Sequence, residues 1–377
     1  MELSDCTAFF PVKSLSHIKM FSLETSSSQT LPSGLTLSAI IPVRDGGFAF
    51  RRCLQAIVEE SPPSAEIIVV ADGDTDGSWQ VGKEYGAKVL RIPIPQGPAR
   101  ARNLGAHEAQ GDILLFIDAD VLIHPDALRQ VEAAFHNDPH LAALFGSYDD
   151  QPGESNFLSQ YKNLFHHYVH QTSQEEASTF WSGCGAVRRK VFLELGGFDE
   201  SYRKPCIEDI ELGYRMKRAG YRIRLSKNLQ VKHLKRWHVR SLLKSDFFDR
   251  ALPWTDLILR HRGFINDLNL RASSRLEVVL TYGFLAALVG AYWHSGSLIA
   301  AGACAVFLII IGRSVYQFFL RKRGIWFTIR AIPWRWFYNF YCGLAFAIGF
   351  GKFFFSRQNS PQVDLSALQK GSSDKST

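Results

Sequence analysis

The chain opens with two kinds of apolar pattern in alternation. Short unbroken runs rich in branched residues stand at 37–43 (LSAIIPV), 66–72 (EIIVVAD), 88–93 (KVLRIP), 112–118 (DILLFID) and 141–148 (LAALFGSY). Runs of this length without polar alternation predict strands buried on both faces. Between them lie stretches with helical spacing: 48–60, stopped by Pro62-Pro63; 78–86, stopped by Gly86; and 98–111, opened by Pro98 and closed by Gly111. Proline at the start and glycine past the end follow the asymmetry of helix termini. The alternation predicts an α/β unit, a mainly parallel sheet with helices on both faces.

The pattern changes near 273. Residues 274–294 carry no charge after Glu277, and 297–312 and 336–351 are likewise uncharged and apolar, with Trp and Tyr toward the ends of these segments. About 20 apolar residues cross a bilayer, and aromatic residues gather at its surfaces. Hydrophobic helices are therefore expected at 276–294, 297–314 and 336–353, within a membrane domain covering 273–357. Residues 232–272 mix Lys232, Lys235, Arg236, Arg240, Lys244, Arg250, Arg260 and Arg262 with Trp237, Leu242, Leu243, Phe247, Phe248, Leu252 and Trp254. That mixture reads as a basic amphipathic segment on a membrane surface, with a solvated connector as the plainer alternative. Positive loops stay cytoplasmic. The basic stretch and Arg321-Lys322-Arg323 then face the cytosol, Ser295-Gly296 forms the far tip of a hairpin, and 325–336 lies along the interface. Residues 1–36 and 358–377 are expected to be disordered tails. No stretch near Met1 has the apolar core and cleavage site of a secretory leader, and Met20 is a second candidate start.

Charge and cysteine content narrow little. A net charge of +7 suits nucleic acid, an anionic membrane or a phosphorylated ligand alike. The six cysteines, at 6, 53, 184, 206, 304 and 342, form no CxxC pair, so neither a zinc nor a redox motif is signalled and reduced thiols are expected. His166 and His170 share one helical face at a spacing that suits zinc. No third ligand accompanies them and no HExxH arrangement is present, which leaves surface or acceptor-side histidines.

Candidate chemistry gathers at the strand ends. In open α/β sheets ligands bind beyond the carboxyl ends of the strands. The first run ends at Arg44-Asp45, the second at Asp72, the fourth at Asp118-Ala119-Asp120. Two carboxylates at i and i+2 suit Mg²⁺ or Mn²⁺ bridged to a diphosphate, with a capped loop as the plain alternative. Glu208, Asp209 and Glu211 open a helix, where acidic residues either answer the helix dipole or offer a general base to an acceptor hydroxyl.

The segments AIIPVRDGG, VVADGDTDGS, GPARARNLG, FIDADV, SGCGAVRRKVFLELGGFDE and CIEDIELGYRMKRAGYRI follow one another over about 37–232. Together, and in this order, they resemble the family 2 glycosyltransferases of the GT-A fold. The resemblance implies a GT-A domain over 37–231 and an inverting, hexosyltransferase-type enzyme using a UDP- or GDP-sugar with Mg²⁺ or Mn²⁺. It places Pro42, Arg44, Asp45 and Asp72 at the donor pocket, Asp45 and Asp72 at base and ribose. Arg102 would reach the base or diphosphate, and Asp118 and Asp120 would hold the metal and donor. Asp209 would be the general base, with Glu208 beside it on the acceptor and diphosphate side. Ala71 stands where the family often has the first of two aspartates. HLKRW (233–237) is similar to the Gln-x-x-Arg-Trp motif of membrane-bound processive synthases, with His233 for Gln; Arg236 would steady the diphosphate and Trp237 meet the acceptor. With the apolar tail, this implies a lipid or lipid-linked acceptor, hydroxyl or phosphate, in cell-envelope chemistry. A multi-pass protein with a cytoplasmic catalytic domain and no nucleic-acid partner is expected. A processive polysaccharide synthase, a nucleotidyltransferase and a non-catalytic sugar-nucleotide-binding protein are the alternatives. The second should carry a Gly-rich phosphate loop, which PVRDGGFAFRR matches poorly; the third should lose the carboxylates kept here.

Overall fold

The computed structural model describes residues 34–60, 65–261 and 268–358. The expectations for residues 1–33 and 359–377, and those resting on Pro62-Pro63 and Arg262, lie outside the described residues.

Eight strands form one sheet in the order β3-β2-β1-β4-β7-β6-β8-β5. β1 (Leu37–Val43), β2 (Glu66–Asp72), β3 (Lys88–Ile92) and β4 (Ile113–Ile117) are parallel, joined by α1 (Gly47–Glu60), α2 (Ser78–Glu84) and α3 (Pro98–Glu108). The rest is mixed. β5 (Val121–Ile123) is antiparallel to β8 (Arg222–His233), β6 (Leu141–Tyr148) is parallel to β8, and β7 (Cys184–Arg188) is antiparallel to both β4 and β6. Between these strands come α4 (Ala127–Asn137), α5 (Phe157–Thr172), α6 (Arg189–Glu194) and α7 (Glu208–Arg218). β4 lies inside the sheet and every one of its residues is buried, as its unbroken apolar run requires. Phe116 packs against Phe192 and Phe198 at 5.3 and 5.1 Å between ring centroids; burying one such side chain contributes about 1.5–3 kcal/mol.

The loop ahead of α3 is locked to the end of β2. The Asp72 carboxylate accepts the N–H groups of Gln96 and Gly97 at 2.7 and 2.8 Å. Gly97 has φ +98°, and a Cβ there would lie 2.5 Å from the Arg203 carbonyl oxygen. Only glycine fits that turn.

Past β8 come α8 (Val239–Leu243), a π-helix (Lys244–Ala251), α9 (Leu252–Arg260), α10 (Ala272–Gly290) and α11 (Ser297–Gln358). α11 breaks at Gly324, φ 79° and ψ −177°, into stretches 297–323 and 325–358. Phe319 and Phe327 pack 5.5 Å apart across the break, whereas eight residues of straight helix would separate them by about 12 Å. The first stretch thus runs on past the expected end at 314. Arg323 donates to Gln160 Oε1 at 2.7 Å and to the Asp150 carbonyl at 2.8 Å, and Lys322 pairs with Asp150, so its end is fastened to the domain that carries the sheet. The segment expected along an interface, 325–336, opens the second stretch and lies on α5, Phe327 beside Phe157 and then Tyr338 beside Phe165. Among the described residues two helices, Ala272–Gly290 and Ser297–Phe355, are long and apolar enough to cross a membrane, with mean hydropathies of 1.3 and 2.2.

Candidate active site

β4 ends at Ile117 and the chain turns at once. Asp118 N–H donates to the Gly183 carbonyl at 3.1 Å, Val121 N–H to the Asp118 carbonyl at 3.0 Å, and Leu234 N–H to the Asp120 carbonyl at 2.8 Å. The Asp-Ala-Asp turn is therefore held between the approach to β7 and the end of β8. Both carboxylates are 33% exposed. Arg102, on α3, donates to Asp118 Oδ1 at 2.7 Å and to Glu208 Oε1 at 2.8 Å. Arg102 and Glu208 are both buried, so the guanidinium bridges from Glu208 to the Asp-Ala-Asp turn. Burial raises the Glu208 carboxyl against the pull of Arg102. Asp120 Oδ2 lies 3.6 Å from His233 Nε2, and the His233 ring stacks on Tyr148 at 4.4 Å and 13°. Burial alone would raise the Asp120 carboxyl, but His233 and Lys235 outweigh it and hold it down to about 2.

Asp118 and Asp120 fit a hard divalent cation. Each is partly exposed, and no hydrogen bond to Asp118 Oδ2 or Asp120 Oδ1 is found among the described residues. Among those residues no group of three or more His, Cys, Asp or Glu side chains is arranged for a metal. The chain thus offers two carboxylates and leaves the other positions to water and phosphate oxygens, the usual arrangement for Mg²⁺ and related ions.

The other residues expected at the donor pocket mostly secure loops. Asp45, at φ 51°, accepts the Thr75 N–H at 2.7 Å and hydroxyl at 3.0 Å, and that backbone bond holds its carboxyl below the usual range. Asp72 is buried and spent on the α3 loop. Arg44 is exposed, 3.9 Å from Asp45, and Pro42 pairs with Val70 inside the sheet.

Asp209, at the start of α7, accepts the Ser182 N–H at 3.0 Å and hydroxyl at 3.3 Å on Oδ2, and the Ile210 N–H at 2.8 Å on Oδ1. It lines a cavity of about 230 Å³. Trp181 forms part of one wall of this cavity, on the domain that carries the sheet; Trp254 of α9, Val278 of α10, and Tyr338 and Phe346 of α11 form part of the other. His166 and His170 line it as well, their rings 4.1 Å apart. Burial pushes the His166 imidazole well below its usual range and that of His170 down to about 4. These two imidazoles therefore belong to the cavity wall, where burial favours their neutral form.

HLKRW is divided. His233 reaches Asp120, but Arg236 is exposed and 3.5 Å from Glu154. Trp237 is buried, its N–H donating to Ser159 Oγ at 2.7 Å and its carbonyl accepting Asn156 Nδ2 at 2.9 Å. These bonds dock the end of β8 on the start of α5, and neither Arg236 nor Trp237 lines the cavity with Asp209. Tyr148, Ser182 and Arg250 were not singled out as site residues by spacing; Arg250, four residues after Asp246, counted only as one surface cation of a basic stretch.

The model of "Glycosyl transferase family 2" matches residues 38–196, and that of "N-terminal domain of galactosyltransferase" matches 163–238. An uncharacterized glycosyltransferase of Haemophilus influenzae is 26% identical over 184 residues, 46% of this chain and 73% of that one. A pre-mycofactocin glycosyltransferase of Mycobacterium tuberculosis is 27% identical over 315 residues, 78% of this chain and 63% of its own length. This chain thus spans less than two thirds of that relative. A mannosyltransferase of Pyrobaculum calidifontis, solved with GDP-Man and Mn²⁺, superposes with a TM-score of 0.52 at 17% identity, over 82% of this chain and 86% of that one. The likeness shows a shared fold.

Proposed function

We propose that this chain, which carries a family 2 glycosyltransferase domain of GT-A fold, moves a hexose with inversion from a UDP- or GDP-sugar to a hydroxyl of a lipid or lipid-linked acceptor at a membrane. The observation that carries the reading is the cavity: Asp209 stands in its wall, and the apolar helices α10 and α11 supply much of the rest. An acceptor with an apolar tail can lie among those helices with its head group at Asp209.

Asp209 takes the proton of the acceptor hydroxyl. The freed oxygen attacks the anomeric carbon on the face opposite the diphosphate, and the nucleoside diphosphate departs. Ser182 and the Ile210 N–H hold the base in place. Asp118 and Asp120 would hold Mg²⁺ or Mn²⁺, which when bound neutralises charge on the leaving diphosphate. Arg102 keeps Asp118 in register with α7, and His233 ties Asp120 to the end of β8. The hairpin of α10 and 297–312 enters the membrane with Tyr292 and Trp293, 86% and 68% exposed, at its tip, and the catalytic domain faces the cytosol.

The test is to incubate membranes bearing the full chain with a panel of labelled UDP- and GDP-sugars and extract the lipid. One donor should label the extract. Asp209→Asn should still bind that donor but lose transfer by about 10²-fold or more. Label from no donor, or wild-type turnover by Asp209→Asn, overturns the reading.

A further inference from the structure

The polar groups of the acceptor-side cavity are unequally matched. Lys162 pairs with Asp246, whose second oxygen accepts the Tyr341 hydroxyl at 2.8 Å. Asp209 is satisfied by Ser182 and Ile210. Arg250 lines the same cavity, half-buried, and no hydrogen bond or ion pair joins it to another described residue. Arg250 shares the cavity wall with Asp209 and Asp246, the two carboxylates that favour its charge most. It projects from a π-helix, a rare wide-turned form frequent at functional sites. Burial opposes the charge and the nearby Asp246 and Asp209 sustain it, but those carboxylates bond elsewhere, so the guanidinium donors among walls such as Phe165, Trp254 and Ile258 still lack an acceptor among the described residues. Asp209 does not need it, and Asp246 is already engaged.

We infer that Arg250 receives an oxyanion carried by the acceptor itself, a phosphate or carboxylate beside the accepting hydroxyl, so that the cavity takes acidic lipids in preference to neutral ones. A guanidinium fork meets two oxygens of such a group at once. The inference rests on reading the cavity as the acceptor site and deepens it by naming the acceptor's charge.

The test uses the full chain in phosphatidylcholine nanodiscs and follows tryptophan fluorescence, since Trp181 and Trp254 line the cavity. Dodecyl phosphate, dodecanol and inorganic phosphate are titrated separately. The wild type should bind dodecyl phosphate about tenfold or more tightly than dodecanol, the increment of a charge-assisted bond. Arg250→Gln should lose that preference while still binding dodecanol, which also shows that it has folded, and Arg250→Lys should keep part of it. Equal binding of the two amphiphiles by the wild type, a measurement that needs no variant, overturns the inference and leaves the proposed transfer standing. So does an undiminished preference in Arg250→Gln. Inorganic phosphate binding as well as dodecyl phosphate would assign the site to a soluble anion and overturn it too. If neither amphiphile perturbs the fluorescence, the acceptor cavity itself falls.

Discussion

Replacing Arg102 by Met should cost the catalytic domain a large share of its stability. The side chain and its partner Glu208 are each 5% exposed, while Asp118 is 33% exposed. The solvated Asp118 bond contributes little, so the loss falls on Glu208, left buried with the Cys206 N–H as its remaining donor. Removing one member of a buried pair costs about 3–5 kcal/mol. In a domain of this size each kcal/mol lowers Tm by about 2–4 °C, so a fall of about 6–20 °C is expected. The assay is thermal unfolding of the full chain in detergent, followed by intrinsic fluorescence. Adding Glu208→Gln removes the stranded charge and should recover several degrees. The pH dependence follows from the same carboxyl. Burial raises it, and without Arg102 the largest opposing influence is gone, leaving backbone N–H donors such as that of Cys206. The folded variant then holds a proton that the unfolded chain, with an ordinary carboxyl near 4.3, releases. Its stability is kept below about 4.3 and lost as pH climbs through the raised value, so the deficit should be smaller at about pH 5 than at pH 8. An Arg102→Met protein melting within about 2 °C of wild type at neutral pH would refute the buried bridge.

Three further outcomes are expected. Asp118→Ala, Asp120→Ala or an excess of chelator should each remove transfer, read as label in the lipid extract; full activity in chelator would exclude the divalent ion. His166 and His170 are held neutral, His170 down to about 4, while unfolded imidazoles titrate near 6.5. The unfolded chain therefore binds more protons below about pH 6.5, and stability should fall as pH drops from there toward 4. His170→Phe should flatten that limb, and an unchanged slope would clear the pair of responsibility. In intact cells, a cysteine at Asp76 should be protected from an impermeant reagent and one at Ser295 labelled; the reverse pattern would overturn the topology.

The parallel half of the sheet was legible because each of its strands is a run that needs burial on both faces. β7 was not, since CGAVR is too short and too small to stand out, and β8 hides an alternating pattern under eight polar or charged residues. Asp118 and Asp120 could be read from a strand end and a two-residue spacing. The bridge from Arg102 to Glu208 joins positions 106 apart in sequence, a separation no local pattern records. The cavity was hidden for the same reason: its walls run from Phe145 to Phe346. Arg250 was read as a surface cation because helical spacing assumes an α-helix, whereas a π-helix turns each residue by a smaller angle and swings that side chain inward.

The fastening of Arg323 and Lys322 to Asp150 and Gln160, with the fold-back at Gly324 beside it, bears on how this protein would meet its acceptor. An enzyme tethered by a slack linker searches a volume, and its reach grows with the linker. Here bonded contacts set the stand-off between Asp209 and the hairpin, so on the proposed function transfer would be confined to one height above the bilayer. Such an enzyme would measure its acceptor as a fixed gauge measures a part: a head group would be glycosylated when its hydroxyl rises to that height.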